Sequence, residues 1–167
     1  MSAPLSRRTW LHGALSGAAA LALGGCATPP RPHEERPESY WAGRLSLQID
    51  SEPPQRLSGA FELLGNADSG ELRLMTPLGQ TVATASWTPA QAMLRRGDDT
   101  RLYPDTDTLT TELTGTALPL PALFAWLRGQ SASIPGWTAD LSRHAEGRLS
   151  AQRLHPLPAV QLRLVLQ

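Results

Sequence analysis

Leucine and its apolar neighbours return at every second position over most of the chain beyond residue 40, and at helical spacing only in a central stretch. Leu45, Leu47 and Ile49 alternate with Arg44, Ser46 and Gln48. Leu57, Gly59, Phe61 and Leu63 alternate with Ser58, Ala60 and Glu62, and Leu72 and Leu74 with Glu71, Arg73 and Met75. A period of two puts one row of side chains on each face, so these segments predict strands with one apolar side. Residues 82–87, 92–95 and 100–103 extend the series. Breakers separate the runs: Glu52-Pro53-Pro54, the Gly65-to-Gly70 stretch, Thr76-Pro77-Leu78-Gly79, Thr88-Pro89 and Arg96-Gly97-Asp98-Asp99. The expectation is an antiparallel meander.

The period then changes. Asp105 or Thr106 caps a helix running to about residue 114, with Leu109 and Leu113 four apart and Gly115 as its stop. Pro121 opens a second helix, ended by Gly129, in which Leu120, Leu123, Phe124, Trp126 and Leu127 occupy much of the circumference. Strands return at residues 137–141, 148–154 and 159–166, the last with Val160, Leu162, Leu164 and Leu166 in alternation. A sheet with one apolar face must cover it, and two short apolar helices are the available cover.

Ahead of this domain the chain has a different grammar. Arg7 and Arg8 precede an apolar run from about Trp10 to Leu23, and Leu23-Gly24-Gly25 leads into Cys26, the only cysteine. This layout resembles a bacterial lipoprotein signal, with the Cys26 thiol taking a diacylglyceryl anchor after cleavage; an ordinary secretory signal is the alternative. The run is too short for a spanning helix, which needs roughly 20 residues. Arg7-Arg8 also fits a twin-arginine export motif, or simply a positive leader. Residues 1–25 are then the signal, and 26–39 a lipidated, proline-rich tether with nothing to pack. Ala27 after the cysteine resembles the sorting rule for outer-membrane delivery. The folded domain is expected over 40–167.

Composition excludes more than it suggests. Fifteen basic and fifteen acidic residues balance, so no basic stripe exists for nucleic acid. No nucleophile elbow and no phosphate-binding loop occur. His12, His33, His144 and His155 are too scattered for a metal site. Asp98-Asp99 and Asp105/Asp107 miss calcium-loop spacing and read as turn and cap residues. No enzyme, metal or cofactor is expected apart from the covalent lipid on Cys26.

A longer pattern remains. Gly70-Glu-Leu-Arg-Leu-Met-Thr-Pro-Leu-Gly-Gln-Thr-Val-Ala-Thr84 is followed downstream by Gly115-Thr-Ala-Leu-Pro-Leu-Pro-Ala-Leu-Phe-Ala-Trp-Leu-Arg-Gly129, after a Gly43-Arg44-Leu45 opening and a Gly59-x-Phe61 strand. In this order, over roughly residues 41 to 167, the chain resembles the outer-membrane lipoprotein receptor family LolB. The resemblance implies a mainly β fold, an unclosed antiparallel barrel of about 9–11 strands whose concave apolar face is covered by short α-helices. It implies a monomer that takes lipoproteins from the periplasmic carrier LolA, holds their acyl chains, and inserts them into the inner leaflet of the outer membrane. A non-enzymatic envelope lipoprotein with a structural or protein-interaction role is the alternative.

On that basis Leu45, Leu47, Phe61, Leu63, Leu72, Leu74, Leu162 and Leu164 are expected to line the sheet side of an acyl-chain cavity, and Leu113, Leu123, Trp126 and Leu127 the lid side. The aromatic content of 5% suits an aliphatic lining. Pro77, Leu78 and Gly79 correspond to a protruding loop that enters the membrane. Pro early and Gly late fit a tight turn, with Leu78 at the tip. Only residues 130–136 separate the second helix from the next strand, and three strands follow. The count therefore falls nearer nine than eleven.

Overall fold

In the computed structural model, which describes residues 39–167, the alternating runs form nine strands of one antiparallel sheet. The signal, Cys26 and the tether up to Glu38 lie outside the described residues. The first meander comprises β1 (Tyr40–Ile49), β2 (Gln55–Gly65), β3 (Gly70–Met75), β4 (Thr81–Thr88), β5 (Gln91–Arg96) and β6 (Asp99–Tyr103). After helices α1 (Thr106–Thr114) and α2 (Leu120–Leu127) come β7 (Trp137–Asp140), β8 (Arg148–Arg153) and β9 (Val160–Leu166). The order across the sheet is β6-β5-β4-β3-β2-β1-β9-β8-β7. β9 returns to pair with β1, which joins the two meanders, while β6 and β7 are the outermost strands of the sheet among the described residues. The barrel is unclosed, as the family resemblance implies, with the two helices that the pattern predicts against its sheet.

Pairing keeps like with like. Leu47 lies between Leu57 and Leu162 on its two neighbours, Phe61 lies opposite Leu74, and Leu63 opposite Leu72. A slip of one residue would turn this entire row outward, so the register is fixed by burial. Gly43 and Gly59 let neighbouring strands approach closely. A Cβ on Gly43 would stand 2.0 Å from the Val165 carbonyl oxygen, and one on Gly59 2.6 Å from that of Met75. Glycine at such points lets a sheet bend tightly enough to curl around its own contents.

The helices are too short to persist alone and depend on what they bury. Asp105 caps α1, its carboxylate accepting the Thr108 N–H at 2.7 Å, and Gly115 ends the helix in the left-handed region at φ 86°. That bond holds the Asp105 carboxyl below its ordinary value. α1 then buries Leu109, Thr110 and Leu113. Within α2, Leu120, Ala122, Leu123, Phe124, Trp126 and Leu127 are all buried. The segment between them is tied back by Thr110, whose hydroxyl oxygen accepts the Leu118 N–H at 3.1 Å. A single 3-10 turn, His144–Glu146, was not foreseen. It serves α2, since the His144 ring Nε2 lies 3.0 Å from the Leu127 carbonyl oxygen at the helix end.

Candidate functional site: an apolar seam and its mouth

The inner faces of β3, β2, β1 and β9 form a trough, and α2 lies along it. Where the two meet, Leu45, Leu47, Phe61, Leu63, Leu72, Leu74, Leu162 and Leu164 face Leu123 and Leu127 across a small cavity. Ten of the expected lining residues are thus brought together. Leu57, Thr114 and Leu118 complete the lining. Leu57 stands in the alternation of β2 and was readable there. Leu118 lies in an aperiodic connection, where no sequence signal marks its direction.

Two expected residues sit elsewhere. Trp126 is fully buried but does not border the cavity, its ring lying 6.0 Å from that of Trp137 of β7. A helix apolar around most of its circumference gives no periodic cue to which side faces the trough. Leu113 stands at the mouth rather than inside. On one side of it is a groove of about 340 Å³ bordered by Leu45, Leu57, Leu74, Pro77, Val82 and Arg96. On the other is a groove of about 280 Å³ bordered by Leu47, Ile49, Gln55, Leu57 and Glu112. Each groove shares residues with the inner cavity, Leu45, Leu57 and Leu74 on one side and Leu47, Leu57 and Thr114 on the other, and Leu113 stands between the two grooves.

The interior itself is nearly closed. Its cavity measures about 30 Å³, room for a water or two and not for a hydrocarbon chain. The physical reason is the cost of empty space. At about 24 cal/mol per Å³, a void ten times larger would cost roughly 7 kcal/mol, comparable with the whole stability of a domain. Sheet and helices therefore settle onto one another, and what persists is an apolar seam rather than an open chamber.

The two helices are held over the seam differently. Phe124 of α2 is wedged between Trp41 and Trp87, with ring centroids 5.5 and 6.3 Å away, and the Trp87 indole N–H donates to the Asn66 carbonyl at 3.0 Å. The C-terminal turn of α1 is fastened by Arg96 of β5, which donates to the Glu112 carboxylate at 3.3 Å and to its backbone carbonyl at 2.9 Å. That pair is about half exposed on both sides. Exposed pairs are worth about 0–1 kcal/mol.

Leu78 occupies the tip of the β3–β4 turn and is 88% exposed. The turn is closed by the Gly79 N–H donating to the Thr76 carbonyl at 2.9 Å, with Gly79 at φ 81°, and by the Thr76 N–H donating to the Gln80 carbonyl at 2.9 Å. A bulge at Leu74/Met75 precedes it, of the kind that re-aims a strand end. Pro77 borders the larger mouth groove, so the exposed tip and the way into the seam are neighbours. Among the described residues no cluster of histidine, cysteine and carboxylate side chains could hold a metal. No helix of the described residues is long and apolar enough to cross a membrane.

Comparison with known proteins agrees with this architecture. A family model described as outer membrane lipoprotein LolB matches residues 40–156. The outer-membrane lipoprotein LolB of Bordetella pertussis is 29% identical, over 98% of this chain and 96% of its own length. Those of Cupriavidus pinatubonensis and Cupriavidus taiwanensis are 33% and 35% identical over 79% and 78% of this chain, and each is covered over 66% of its length. With a matched family model spanning the whole first meander, both helices and the start of the second, the chain belongs to the outer-membrane lipoprotein LolB family.

Proposed function

We propose that this protein, anchored by lipid on Cys26 at the periplasmic face of the outer membrane, accepts lipoproteins from the carrier LolA and passes them into the inner leaflet. Their acyl chains enter between sheet and helices, and no nucleotide is hydrolysed. The observation that carries this reading is adjacency: the apolar interior shares Leu45, Leu57 and Leu74 with a groove that Leu113 borders and that reaches Pro77 of the Leu78 turn. Hydrocarbon gains about 0.8 kcal/mol for each methylene taken out of water, so a chain replacing the side-chain contacts of the seam has the driving force to lift a helix. Transfer then runs down a gradient of apolar contact from carrier to seam to bilayer. On this reading the chain acts as a monomer and performs no catalysis.

Leu78 is the residue that meets the membrane. One leucine entering lipid contributes about 2 kcal/mol, sufficient to orient a domain that is already tethered. Leu78→Glu is expected to keep transfer from carrier to receptor while blocking deposition in vesicles, followed as movement of a labelled lipoprotein between the three. Normal deposition by that variant would remove the role assigned to Leu78.

The near-closed interior favours a second reading, an envelope lipoprotein whose core is simply filled. Saturable uptake of a fluorescent fatty acid separates the two. Uptake requires the seam to part, and a filled core shows none.

A further inference from the structure

The strand order brings together two turns that are far apart in sequence. β3 ends at Met75, opposite Ala60, so the Leu78 turn projects toward the end of the sheet where β1 and β2 are joined. β8 ends at Arg153 and β9 starts at Val160, which pairs with Ile49, so the β8–β9 loop projects from that same end. The described residues hold six exposed large apolar side chains, and four of them, Leu78, Val82, Leu154 and Leu157, stand at this end. We infer that the β8–β9 loop is a second membrane-contacting element, with Leu154 and Leu157 entering the lipid surface beside Leu78. This deepens the proposed function and rests on its reading of the Leu78 turn.

The chemistry of the loop fits lipid. The two tips share a dipeptide, Pro77-Leu78 and Pro156-Leu157, and a further proline follows at Pro158. Proline has no N–H, so these tips carry few backbone donors that would have to be stripped of water on entering an apolar phase. Residues 76–82 carry no charged side chain, and residues 154–159 carry only His155. The leucines also stand out singly at separate tips instead of forming one contiguous patch. A fluid lipid surface can receive such points independently. Between the tips lies the β1–β2 turn, whose exposed carboxylates Asp50 and Glu52 belong in water or among headgroups rather than in hydrocarbon.

The loop is fixed in this attitude. The Asp50 N–H donates to the Ala159 carbonyl at 2.9 Å, and Arg153 reaches the Pro158 carbonyl at 3.4 Å while its guanidinium lies 5.7 Å from the centre of the Trp137 ring. Behind it, Gly136 leaves no room for a Cβ, which would stand 2.2 Å from the His155 carbonyl oxygen. Leu154 and Leu157 therefore face solvent because the backbone beneath them is held.

The length of chain ahead of the domain permits this orientation. Ser39 lies at the opposite end of the sheet, where its carbonyl accepts the Gly65 N–H. The ten residues of β1 span about 33 Å from there to the Leu78 end. The thirteen residues from Cys26 to Glu38 reach at most about 45 Å. A lipid on Cys26 is thus compatible with both turns resting on the same bilayer.

The test uses the full-length lipidated protein in phosphatidylethanolamine/phosphatidylglycerol vesicles. With Cys26 occupied by lipid, a single introduced thiol takes a polarity-sensitive fluorophore, and the parent protein serves as the unlabelled control. Leu157→Cys is compared with Leu78→Cys and with Leu102→Cys, another exposed leucine, on edge strand β6 at the other end of the sheet. The expected result is a blue-shifted emission at 157, quenched by spin-labelled lipid as strongly as at 78, and no quenching at 102. Quenching at 78 without quenching at 157 overturns the second contact and leaves the proposed function standing. Absence of quenching at both positions overturns the membrane reading of Leu78 as well. A signal at 157 that ignores lipid and responds to added carrier also overturns the inference, making the loop a protein-docking element.

Discussion

α1, packed on β4, β5 and β6, and α2, lying along the trough, cover one sheet with about the same length of chain, yet they are attached by different kinds of contact. α2 is embedded: six of its eight residues are buried, aromatic rings grip it at Phe124 and at Trp126, and His144 meets its last turn. α1 buries three residues of nine, and its C-terminal turn is fastened by an ion pair in solvent. Polar fastenings at a surface exchange readily with water, whereas a buried tryptophan has no such substitute. The difference assigns the labour between them. α2 is part of the core that shapes the seam, and on the proposed reading α1, which carries Leu113 at the mouth, is the cover that has to lift.

The sharpest way to break this comparison is to remove an anchor of α2. Trp126→Ala deletes a ring with no exposed surface that packs on Trp137. Truncations of this kind cost about 3–5 kcal/mol. Denaturant unfolding should show a loss in that range, with α1 and α2 unfolding together. A loss below about 1 kcal/mol would mean that α2 is as loosely held as α1. The buried indole Nε1 of Trp126 has no hydrogen-bond partner, so Trp126→Phe, which removes that unpaired donor, is expected to recover most of the loss.

A smaller effect with a different signature is expected at the mouth. Leu113 is 8% exposed and separates the two grooves. Leu113→Ala should cost about 2 kcal/mol, the low end for a leucine truncation, because solvent already reaches the site. At the same time it should accelerate binding of a fluorescent fatty acid, since the side chain that closes the seam is gone. Stability and uptake move in opposite directions only if Leu113 is a gate. If uptake slows along with the loss of stability, Leu113 is an ordinary core residue.

The same contrast explains which parts of the molecule were readable in the sequence. All nine strands were: period two marks β1, β2, β3 and β9, and Gly/Pro turns bound the remaining runs. Both helix boundaries were, through Asp105, Gly115 and Pro121. The direction of Trp126 was not, since α2 is apolar nearly all round and the pattern holds no phase. Leu118 escaped because its position follows from the bond to Thr110, a contact specified by two elements together. The volume of the seam was hidden for a deeper reason. Volume depends on how far sheet and helices collapse, and the same leucines line an open chamber or a closed seam. The shared end of the Leu78 and Leu157 turns needed the strand order, which places β9 beside β1.

The gentlest test acts on α1 through pH alone. The Asp105 carboxylate caps the helix by accepting the Thr108 N–H, and this bond lowers its pKa below the ordinary value of 3.8. A carboxyl whose folded value is depressed contributes its stabilisation above the unfolded pKa and loses it as pH falls through the folded one. α1 should therefore fray below about pH 4, while α2, whose N-cap is Pro119 and has no titrating cap, is unaffected in that window. Amide exchange read separately over residues 106–114 and 120–127 should show protection falling in the first segment and not in the second. Asp105→Asn, which keeps an acceptor without a carboxyl to titrate, should weaken the acid dependence at the start of the first segment while leaving its protection at neutral pH nearly unchanged. Equal loss of protection in both helices on acidification would mean that they open as one unit, and α1 could then not serve as a separate cover.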